Sequence, residues 1–262
     1  MRVLKIPLET TPSANPLAAP DTILAAFKPS ASFHHPFSLV VETLSLSGGA
    51  DDFARIATAT KNASATDRFL LLSRSHAVTL AAFSGFIRQH PRAGIVIFDA
   101  HPDALSKEQI QKIGFTLPWE DLLRGLIERK LVVPNQIVVV GLRVSTPEEV
   151  AFLKQHRIRC YSMTDIINFG ITEFADALTE TVNSWPATYC SIDLDVLDPA
   201  FAPAVDIPEP GGLSSAELIY VLRRLALLKN LKGADICELA PEKDAEGKTA
   251  LIAAEIVRTF ST

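Results

Sequence analysis

The sequence lacks the features that mark several large classes of protein. It contains no run of about 20 apolar residues that could span a membrane, and its first residues, MRVLKIPLETT, lack the continuous apolar core of a signal peptide. It has no tract rich in lysine and arginine, and 25 basic against 30 acidic residues give a formal charge of −5. Such a charge provides no general attraction to nucleic acid or to an anionic membrane. We therefore expect a cytoplasmic protein whose partner is a small molecule.

Cysteine is also scarce. The three cysteines, Cys160, Cys190 and Cys237, are widely spaced, and each lies in or beside an apolar run. This favours reduced, buried thiols over a disulfide framework or a cysteine metal site. Linkers rich in glycine and serine, charge blocks and internal repeats are absent too. The 262 residues, 48% of them hydrophobic, therefore predict one domain spanning 1–262 with a sizeable core.

The chain instead shows a regular alternation of two hydrophobic patterns. Short apolar, β-branched runs predict about eight strands: RVLKIP, FSLVVETLSL, RFLLLS, GIVIFDA, QIVVVGLR, IRCYS, TYCSIDL and GADICEL. Segments of helical period predict amphipathic helices: GADDFARIATATKNA, HAVTLAAFSGFIRQH, WEDLLRGLIERK, TPEEVAFLKQH, ITEFADALTETVNSW, SSAELIYVLRRLALLK and TALIAAEIVRTF. This order predicts an α/β protein, a three-layer α/β/α sandwich whose mostly parallel sheet is covered by helices on both faces.

Two strand-like runs end in ligand-type side chains. In IVIFDAHPDAL, Asp99, His101 and Asp103 occupy every second position, so an extended backbone projects them to the same side. Asp193 and Asp195 end the run in SIDLDVLDP in the same way. Burying such carboxylates without a compensating cation would be costly. Both motifs therefore predict metal ligands, whereas Asp198, which precedes a proline, is more typical of a turn.

A third element is His76, which follows the apolar run of LLLSRSHAVTL. Ligands bind at the carboxyl ends of parallel strands, so we expect His76 to lie beside the two acidic motifs. The combined set has two imidazoles and four carboxylates: His76, Asp99, His101, Asp103, Asp193 and Asp195. Six ligands are too many for one tetrahedral zinc ion, and two Mn²⁺ ions suit oxygen-rich ligands with some imidazole. Two such ions would activate water for hydrolysis. The long segments 102–118 and 196–213 should frame this site.

These motifs resemble the metal signatures of the ureohydrolases, the arginase and agmatinase family. DAHPD and SIDLDVLDP carry the resemblance, and PAFAPAVDIPEPGGLS, VGLRVSTPEEVAFLKQHRIRCYSMTDI and DICELAPEKD extend it over roughly residues 68–260. The resemblance implies the six residues above as ligands of a binuclear manganese centre that cleaves guanidino or formimino groups. It implies Asp103 as proton acceptor and Glu238 as the carboxylate that binds a guanidinium through parallel N–H bonds. It also implies a homo-oligomer, a trimer or hexamer.

The sequence departs from this family at three places. The usual Gly-Gly-Asp-His-Ser context of the first histidine reads Ser-Arg-Ser-His-Ala at 73–77, with Arg74 at a glycine position. If the missing aspartate supports the ligands, metal affinity would fall about 10 to 100-fold. The usual His-Gly pair is also incomplete, because KIGFTLPW offers Gly114 and no histidine occurs from 102 to 155. His34 and His35 could fold over the site, although an exposed loop explains them more simply.

The third departure is Asp206, within AVDIP, where family members commonly carry a small Gly/Thr-rich stretch. Its charge either recognises a cationic substrate tail, as in agmatine, or is a solvated loop charge. The leading hypothesis is an agmatinase-like hydrolase that releases urea. Alternatives are an arginase or a formimidoylglutamase-type hydrolase, or a metal-binding protein of this family without catalytic activity.

Overall fold

The computed structural model describes residues 1–8, 15, 17–27, 38–49, 51–66, 68–106, 109–110 and 121–261. Within these residues eight strands form one sheet: β1 (Arg2–Ile6), β2 (Val40–Thr43), β3 (Phe69–Ser73), β4 (Gly94–Phe98), β5 (Ile137–Leu142), β6 (Arg159–Ser162), β7 (Thr188–Asp193) and β8 (Leu231–Cys237). All neighbouring strands are parallel, in the order β2-β1-β3-β8-β7-β4-β5-β6. Each predicted run overlaps one strand, so the predicted parallel sheet is confirmed.

The described residues also form nine α-helices: α1 (Ala18–Ala26), α2 (Asp52–Ala63), α3 (Val78–Gln89), α4 (Leu122–Glu128), α5 (Pro147–His156), α6 (Met163–Phe169), α7 (Ile171–Asn183), α8 (Ser215–Ala226) and α9 (Lys248–Ser261). The hydrophobic pattern predicts seven of them and misses α1 and α6. Helices α4 and α6 both have 7 residues, but α4 lies within the longer periodic run WEDLLRGLIERK, whereas α6 lies directly between β6 and α7 and has no such run. None of the helices described is both long and apolar enough to cross a bilayer.

Helices cover both faces of the sheet because successive side chains of a strand point to opposite sides. In β4, Val96 and Phe98 join the core that the sheet forms with α1, α6, α7, α8 and α9. Ile95 and Ile97 join the second core, which includes α2, α3, α4 and α5. Strands buried on both faces need continuous apolar runs, as the sequence has. The chain therefore has the predicted three-layer α/β/α architecture.

The three cysteines are free thiols, as predicted. Cys190 and Cys237 lie buried in the adjacent strands β7 and β8, and Cys160 is partly buried in β6. Burial raises the pKa of the Cys190 and Cys237 thiols well above the ordinary value. Such thiols stay protonated and are poor nucleophiles, so their role is in packing.

Four consecutive strands in the middle of the sheet, β3, β8, β7 and β4, end at the same edge. Phe98 of β4 pairs with Ile192 of β7, and Ile192 pairs with Ile236 of β8. The residues that follow these positions are therefore brought side by side. Every residue that the sequence predicts as a metal ligand or guanidinium anchor lies at or just beyond one of these four strand ends.

Candidate metal centre and substrate pocket

His76 lies at the centre of the first group of predicted ligands. Its Nδ1 atom is 3.0 Å from Asp103 Oδ2, 3.2 Å from Asp99 Oδ2 and 3.4 Å from Asp193 Oδ2. The ligand atoms of His76, Asp99 and Asp103 all lie within 4.8 Å of one another. Three carboxylates from two strand ends thus face one nitrogen of a single imidazole.

His101 lies at the centre of the second group. Its Nδ1 atom is 2.9 Å from Asp195 Oδ2 and 3.5 Å from Asp99 Oδ1. Ligand atoms of Asp99, His101 and Asp195 also lie within 4.8 Å of one another. Asp99 therefore presents one carboxylate oxygen to each group. Two adjacent groups that share a carboxylate are suited to two neighbouring metal ions.

Unpartnered atoms in the first group test whether a cation fits. His76 Nδ1 and Asp99 Oδ2 are buried 3.2 Å apart, and neither makes a hydrogen bond of good geometry among the described residues. Leaving such atoms unsatisfied costs about 1 to 3 kcal/mol each. Across the described chain, no lysine or arginine side chain forms an ion pair with the carboxylates of Asp99, Asp103, Asp193 or Asp195. A donor set of this kind fits divalent cations.

The pKa values of these side chains reflect the same concentration of negative charge. Burial raises the pKa of Asp193 well above its ordinary value, and the carboxylates of Asp195 and Asp99 add to this effect. Burial, followed by the Asp99 carboxylate, also raises the pKa of Asp195. Burial lowers the pKa of His101, but the Asp195 and Asp99 carboxylates outweigh it and raise this pKa to about 12. Cations that bind here would displace the protons that these shifts retain.

Two residues of the site have an unusual backbone. Asp103 and Glu238 adopt positive φ angles of 48° and 69°, a conformation that costs a non-glycine residue about 1 to 3 kcal/mol. The Leu123 N–H donates to the Asp103 carbonyl oxygen, and the Glu238 N–H donates to that of Arg74, both at 2.9 Å. These contacts hold the strained residues in place. Strain of this kind is typical of functional positions.

Glu238 lines the same cavity as the predicted ligands, which has a volume of about 530 Å³. Its Oε1 atom accepts a hydrogen bond from the His76 N–H at 2.7 Å. Burial raises the pKa of Glu238 to about 8, although the His76 N–H acts in the opposite direction. A bound cation would favour the charged form of this carboxylate. Glu238 is therefore placed where a guanidinium could meet both it and the candidate metal centre.

A buried hydrogen-bond network that the sequence did not predict contacts the second ring nitrogen of His76, Nε2. His76 Nε2 lies 2.9 Å from Ser191 Oγ, which donates to Asp235 Oδ1 at 2.7 Å. Thr79 Oγ1 and Tyr189 OH donate to Asp235 Oδ2 at 2.9 and 2.8 Å. Such contacts orient a ligand histidine and raise its basicity. The signal in the sequence was Asp235, a carboxylate in the middle of the apolar run GADICEL.

This network supports His76 even though the residues around it, Ser-Arg-Ser-His-Ala at 73–77, differ from the family pattern. The replacement of the family's aspartate before this histidine by Ser75 predicts weaker support of the ligands. In the structure a fully buried carboxylate, Asp235, supports the His76 ring through Ser191. Support comes mainly from β7 and β8, with Thr79 of α3 as a further donor, and not from the residue that precedes the histidine.

Arg74 forms a second charged group beside the site. Its Nη1 and Nη2 atoms donate to Glu242 Oε2 and Oε1 at 2.8 and 2.6 Å, and Nη2 also donates to Asp206 Oδ2 at 3.1 Å. Lys243 Nζ donates to Asp206 Oδ1 at 2.9 Å. Asp206 lines the cavity, as the substrate-binding prediction requires, but its carboxylate already has two cationic partners. These contacts also explain the unusual residue at position 74.

Arg143 is a further residue that the sequence analysis missed. Its Nη2 atom donates to the carbonyl oxygens of Asp195, Leu197 and Glu209 at 2.5, 3.2 and 2.8 Å. These bonds fasten both ends of the loop after β7 beside a predicted metal ligand. The signal was an arginine directly after the apolar run QIVVVGL.

The loop 196–213 frames the cavity as predicted and supplies Val205, Asp206 and Ile207 to its wall. Asp198 is the turn former that was predicted, since its carboxylate accepts from the N–H groups of Ala200 and Gly211 at 2.8 and 2.7 Å. The other framing segment, 102–118, is described only at 102–106 and 109–110. Predictions for His34, His35 and Gly114 lie outside the described residues.

Comparisons with known proteins agree with this geometry. The family model of the arginase family matches residues 17–262. The chain is 33% identical over 190 residues to proclavaminate amidinohydrolase of Streptomyces clavuligerus, covering 72% of this chain and 59% of that protein. It is 35% identical over 192 residues to guanidinopropionase of Pseudomonas aeruginosa, covering 72% and 58% respectively. The matches thus span about three fifths of these curated relatives.

Solved structures show the same fold. Formimidoylglutamase from Bacillus subtilis superposes with a TM-score of 0.88 at 20% identity, covering 99% of this chain and 85% of that one. The structure of the Streptomyces clavuligerus proclavaminate amidinohydrolase gives a TM-score of 0.82 at 26% identity, with coverage of 99% and 89%. The sheet, the acidic motifs at its edge and the matching family model lead to one conclusion: the chain belongs to the arginase family.

Proposed function

We propose that the protein is a binuclear Mn²⁺ hydrolase that cleaves the guanidino group of a small molecule and releases urea. The observation that carries this proposal is the pair of ligand groups that share Asp99 beside Glu238 in one cavity. His76, Asp99, Asp103 and Asp193 would hold one ion, and Asp99, His101 and Asp195 the other. When bound, two divalent ions would lower the pKa of water and so supply hydroxide for attack on the guanidino carbon. Oxygen-rich ligands with imidazole favour Mn²⁺.

Glu238 is the proposed substrate anchor. Its carboxylate can accept parallel N–H bonds from the planar guanidinium, which fixes the orientation of the scissile C–N bond. The His76 N–H holds Glu238 Oε1 at 2.7 Å, so the anchor and a proposed ligand are positioned together. This arrangement would place the guanidino carbon against the candidate metal centre.

Asp103 is the proposed proton-transfer residue. Its side chain is 30% exposed and lines the cavity, whereas the side chain of Asp99 is only 1% exposed. Asp103 can accept a proton from the attacking water and deliver it to the leaving nitrogen. The C–N bond then breaks, and the products are urea and a protonated amine. This assignment does not require a histidine from the segment 102–155.

The identity of the substrate is a separate question. Agmatine was favoured in part because Asp206 could bind a second cation, and the ion pairs of Asp206 with Arg74 and Lys243 weaken that reason. The two relatives are named for different guanidino substrates, so their names do not indicate which substrate tail this protein binds. Agmatine, arginine and formiminoglutamate therefore enter as candidates to be tested. A trimeric or hexameric state also stays a prediction, which light scattering would test.

The test is urea release by purified, Mn²⁺-loaded protein, with an EDTA-stripped control. The substrates are agmatine, arginine, 4-guanidinobutyrate and 3-guanidinopropionate, together with formiminoglutamate assayed for formamide. We expect urea that depends on the metal. If formiminoglutamate is the only compound that reacts, with release of formamide, the proposed reaction becomes that of a formimidoylglutamase. No product from any compound, with both ions bound, would contradict catalysis and favour a protein that only binds metal.

A further inference from the structure

Apart from the predicted ligands and Glu238, the wall of the cavity is mainly apolar. Five aliphatic side chains line it: Leu105, Ile110, Val144, Val205 and Ile207. Val144 and Ile207 are 40% and 50% exposed, so they present apolar surface to the solvent-filled cavity. A substrate tail that covers this surface would gain from the removal of apolar area from water.

Two further carboxylates reach this wall, and both have partners. Glu149 Oε2 accepts from the N–H and hydroxyl groups of Thr146 at 2.9 and 3.1 Å, and Oε1 accepts from the Ala104 N–H at 3.2 Å. Asp206 is paired with Arg74 and Lys243. Glu149 is buried behind these neutral donors and Asp206 is held by two cations, so an ammonium group at the end of a substrate would have to displace these partners to pair with either carboxylate.

The described part of the wall offers a carboxylate the hydroxyl groups of Ser75, Ser145 and Thr146 but no cation. None of the described side chains that line the cavity is a lysine or an arginine. Arg74 and Lys243 lie behind the wall, where they contact Glu242 and Asp206. A charged tail would lose hydration against this wall without gaining an ion pair, which is unfavourable for either sign of charge.

We infer that this cavity selects a guanidino compound whose tail is uncharged and apolar, of the alkylguanidine class. The inference rests on the proposed function for the guanidino end and extends it to the other end of the substrate. Arg74 is the residue that sets this selectivity, because it neutralises Asp206 from a position that glycine occupies in the family pattern. The pocket therefore differs from one built for agmatine.

Isothermal titration calorimetry on the Mn²⁺-loaded protein tests this selectivity through binding alone. Butylguanidine, agmatine and 4-guanidinobutyrate all have four-carbon chains and differ in the group at the far end. We expect butylguanidine to bind at least tenfold more tightly than either charged compound. Affinity should also rise about fourfold per methylene from ethylguanidine to butylguanidine. Equal or tighter binding of a charged compound, or no binding of any guanidine, would overturn the inference.

Two controls locate the binding and separate the two proposals. Glu238→Gln should lower butylguanidine affinity about 10 to 100-fold, and unchanged affinity would mean that the compound binds elsewhere and would overturn the inference. Urea release is measured on the same samples. Tight, selective binding of butylguanidine without urea would contradict the hydrolase proposal and leave the selectivity of the pocket standing.

Variants of Asp206, Arg74 and Lys243 test whether Arg74 sets the selectivity of the cavity. Asp206→Asn should change the ratio of agmatine to butylguanidine affinity by less than twofold, because this carboxylate is already paired. Arg74→Gln combined with Lys243→Gln should free Asp206 and shift the ratio at least fivefold toward agmatine. A selective loss of agmatine binding in Asp206→Asn, or an unchanged ratio in the double variant, would overturn the assignment of Arg74. A ratio measured within one variant is insensitive to partial loss of folded protein.

Discussion

Two groups of acidic side chains lie side by side at the edge of the sheet, and they differ in what balances their charge. The first, which we call the metal group, contains Asp99, Asp103, Asp193 and Asp195. The second, which we call the paired group, contains Asp206 and Glu242, with Arg74 and Lys243 as its cations. In the metal group a buried carboxylate oxygen, Asp99 Oδ2, and a buried imidazole nitrogen, His76 Nδ1, make no hydrogen bond of good geometry within the described chain.

The two groups shift the pKa of a carboxyl in opposite directions. The Arg74 guanidinium lowers the pKa of Glu242 to about 2. Burial and the neighbouring carboxylates raise the pKa of Asp193 well above its ordinary value. Within the described residues, lysine and arginine form ion pairs with the paired group and none with the metal group, although Arg143 lies beside Asp195 and bonds to its backbone carbonyl. The metal group is therefore suited to bind divalent cations, as proposed.

Replacing both Asp193 and Asp195 by Ala should have the largest effect, because one ligand is lost from each proposed ion. We expect tight binding of two Mn²⁺ ions and urea release to be abolished, with the far-UV circular dichroism spectrum largely unchanged. Asp198→Asn is the matched control, since it removes a carboxylate of the same loop that serves only a turn. Two ions retained in the double variant would contradict the ligand assignment.

Glu238→Gln should affect the substrate and spare the metals. The amide oxygen can still accept from the His76 N–H, but the charge that holds a guanidinium is lost. We expect guanidino affinity to fall about 10 to 100-fold, as for the loss of a charge-assisted hydrogen bond, with Mn²⁺ stoichiometry unchanged. Glu242→Gln removes a carboxylate from the paired group and serves as the control. If both variants bind the guanidine equally well, Glu238 is not the anchor.

Ser191→Ala should lower the Mn²⁺ affinity of the metal group without removing a proposed ligand. The variant breaks the contact between His76 Nε2 and the Asp235 network, so Mn²⁺ affinity should fall about 10 to 100-fold, measured by competition calorimetry. Tyr189→Phe removes one donor to Asp235 but leaves the Ser191–His76 contact, and should cost less affinity. Wild-type affinity in Ser191→Ala would show that this network does not support the metal site.

The smallest effect concerns the pH dependence of the paired group. The folded pKa of Glu242, about 2, lies below its ordinary value of 4.5, so its contribution to stability is present above pH 4.5 and is lost toward pH 2. Glu242 is 57% exposed, and solvent screening limits this contribution to about 1 kcal/mol or less. Urea unfolding of EDTA-treated wild type and Glu242→Gln at pH 6 and pH 3 measures it. The stability difference between the two proteins should shrink at pH 3; a constant difference would contradict the ion pair.

The sequence predicts those features that depend on local pattern. The β-branched runs identify all eight strands, but the extended backbone expected for the two acidic motifs is wrong beyond Asp193. Asp99 and Asp103 follow the end of β4, Asp103 has a φ of 48°, and Asp195 lies in a 3-10 turn, so turns after the strands bring these carboxylates together. Helix α6 was missed because it lies directly between β6 and α7, with no separate periodic run of its own. The capping box that Ser162 forms with Asp165 was the available signal for its start.

Contacts between distant segments could not be predicted in the same way. Arg74 and Glu242 are 168 positions apart, and His76 and Ser191 are 115 apart. The two contacts depend on the strand order, which brings β3 beside β8 and β7 beside β8. A single sequence shows that Arg74 and Asp206 both depart from the family pattern. Only the structure shows that the two departures form one ion pair.

The most direct test of the metal group is the number of Mn²⁺ ions that the wild-type chain binds. The protein is equilibrated with Mn²⁺, freed of excess ion by gel filtration and analysed by elemental mass spectrometry, with thermal unfolding recorded in parallel. We predict two ions per chain, one for each ligand group, and a stabilisation of about 2.7 kcal/mol per site at an ion concentration 100 times the Kd. A folded chain that retains one ion or none, with unfolding that Mn²⁺ does not change, would contradict the conclusion that these acids are built for metal.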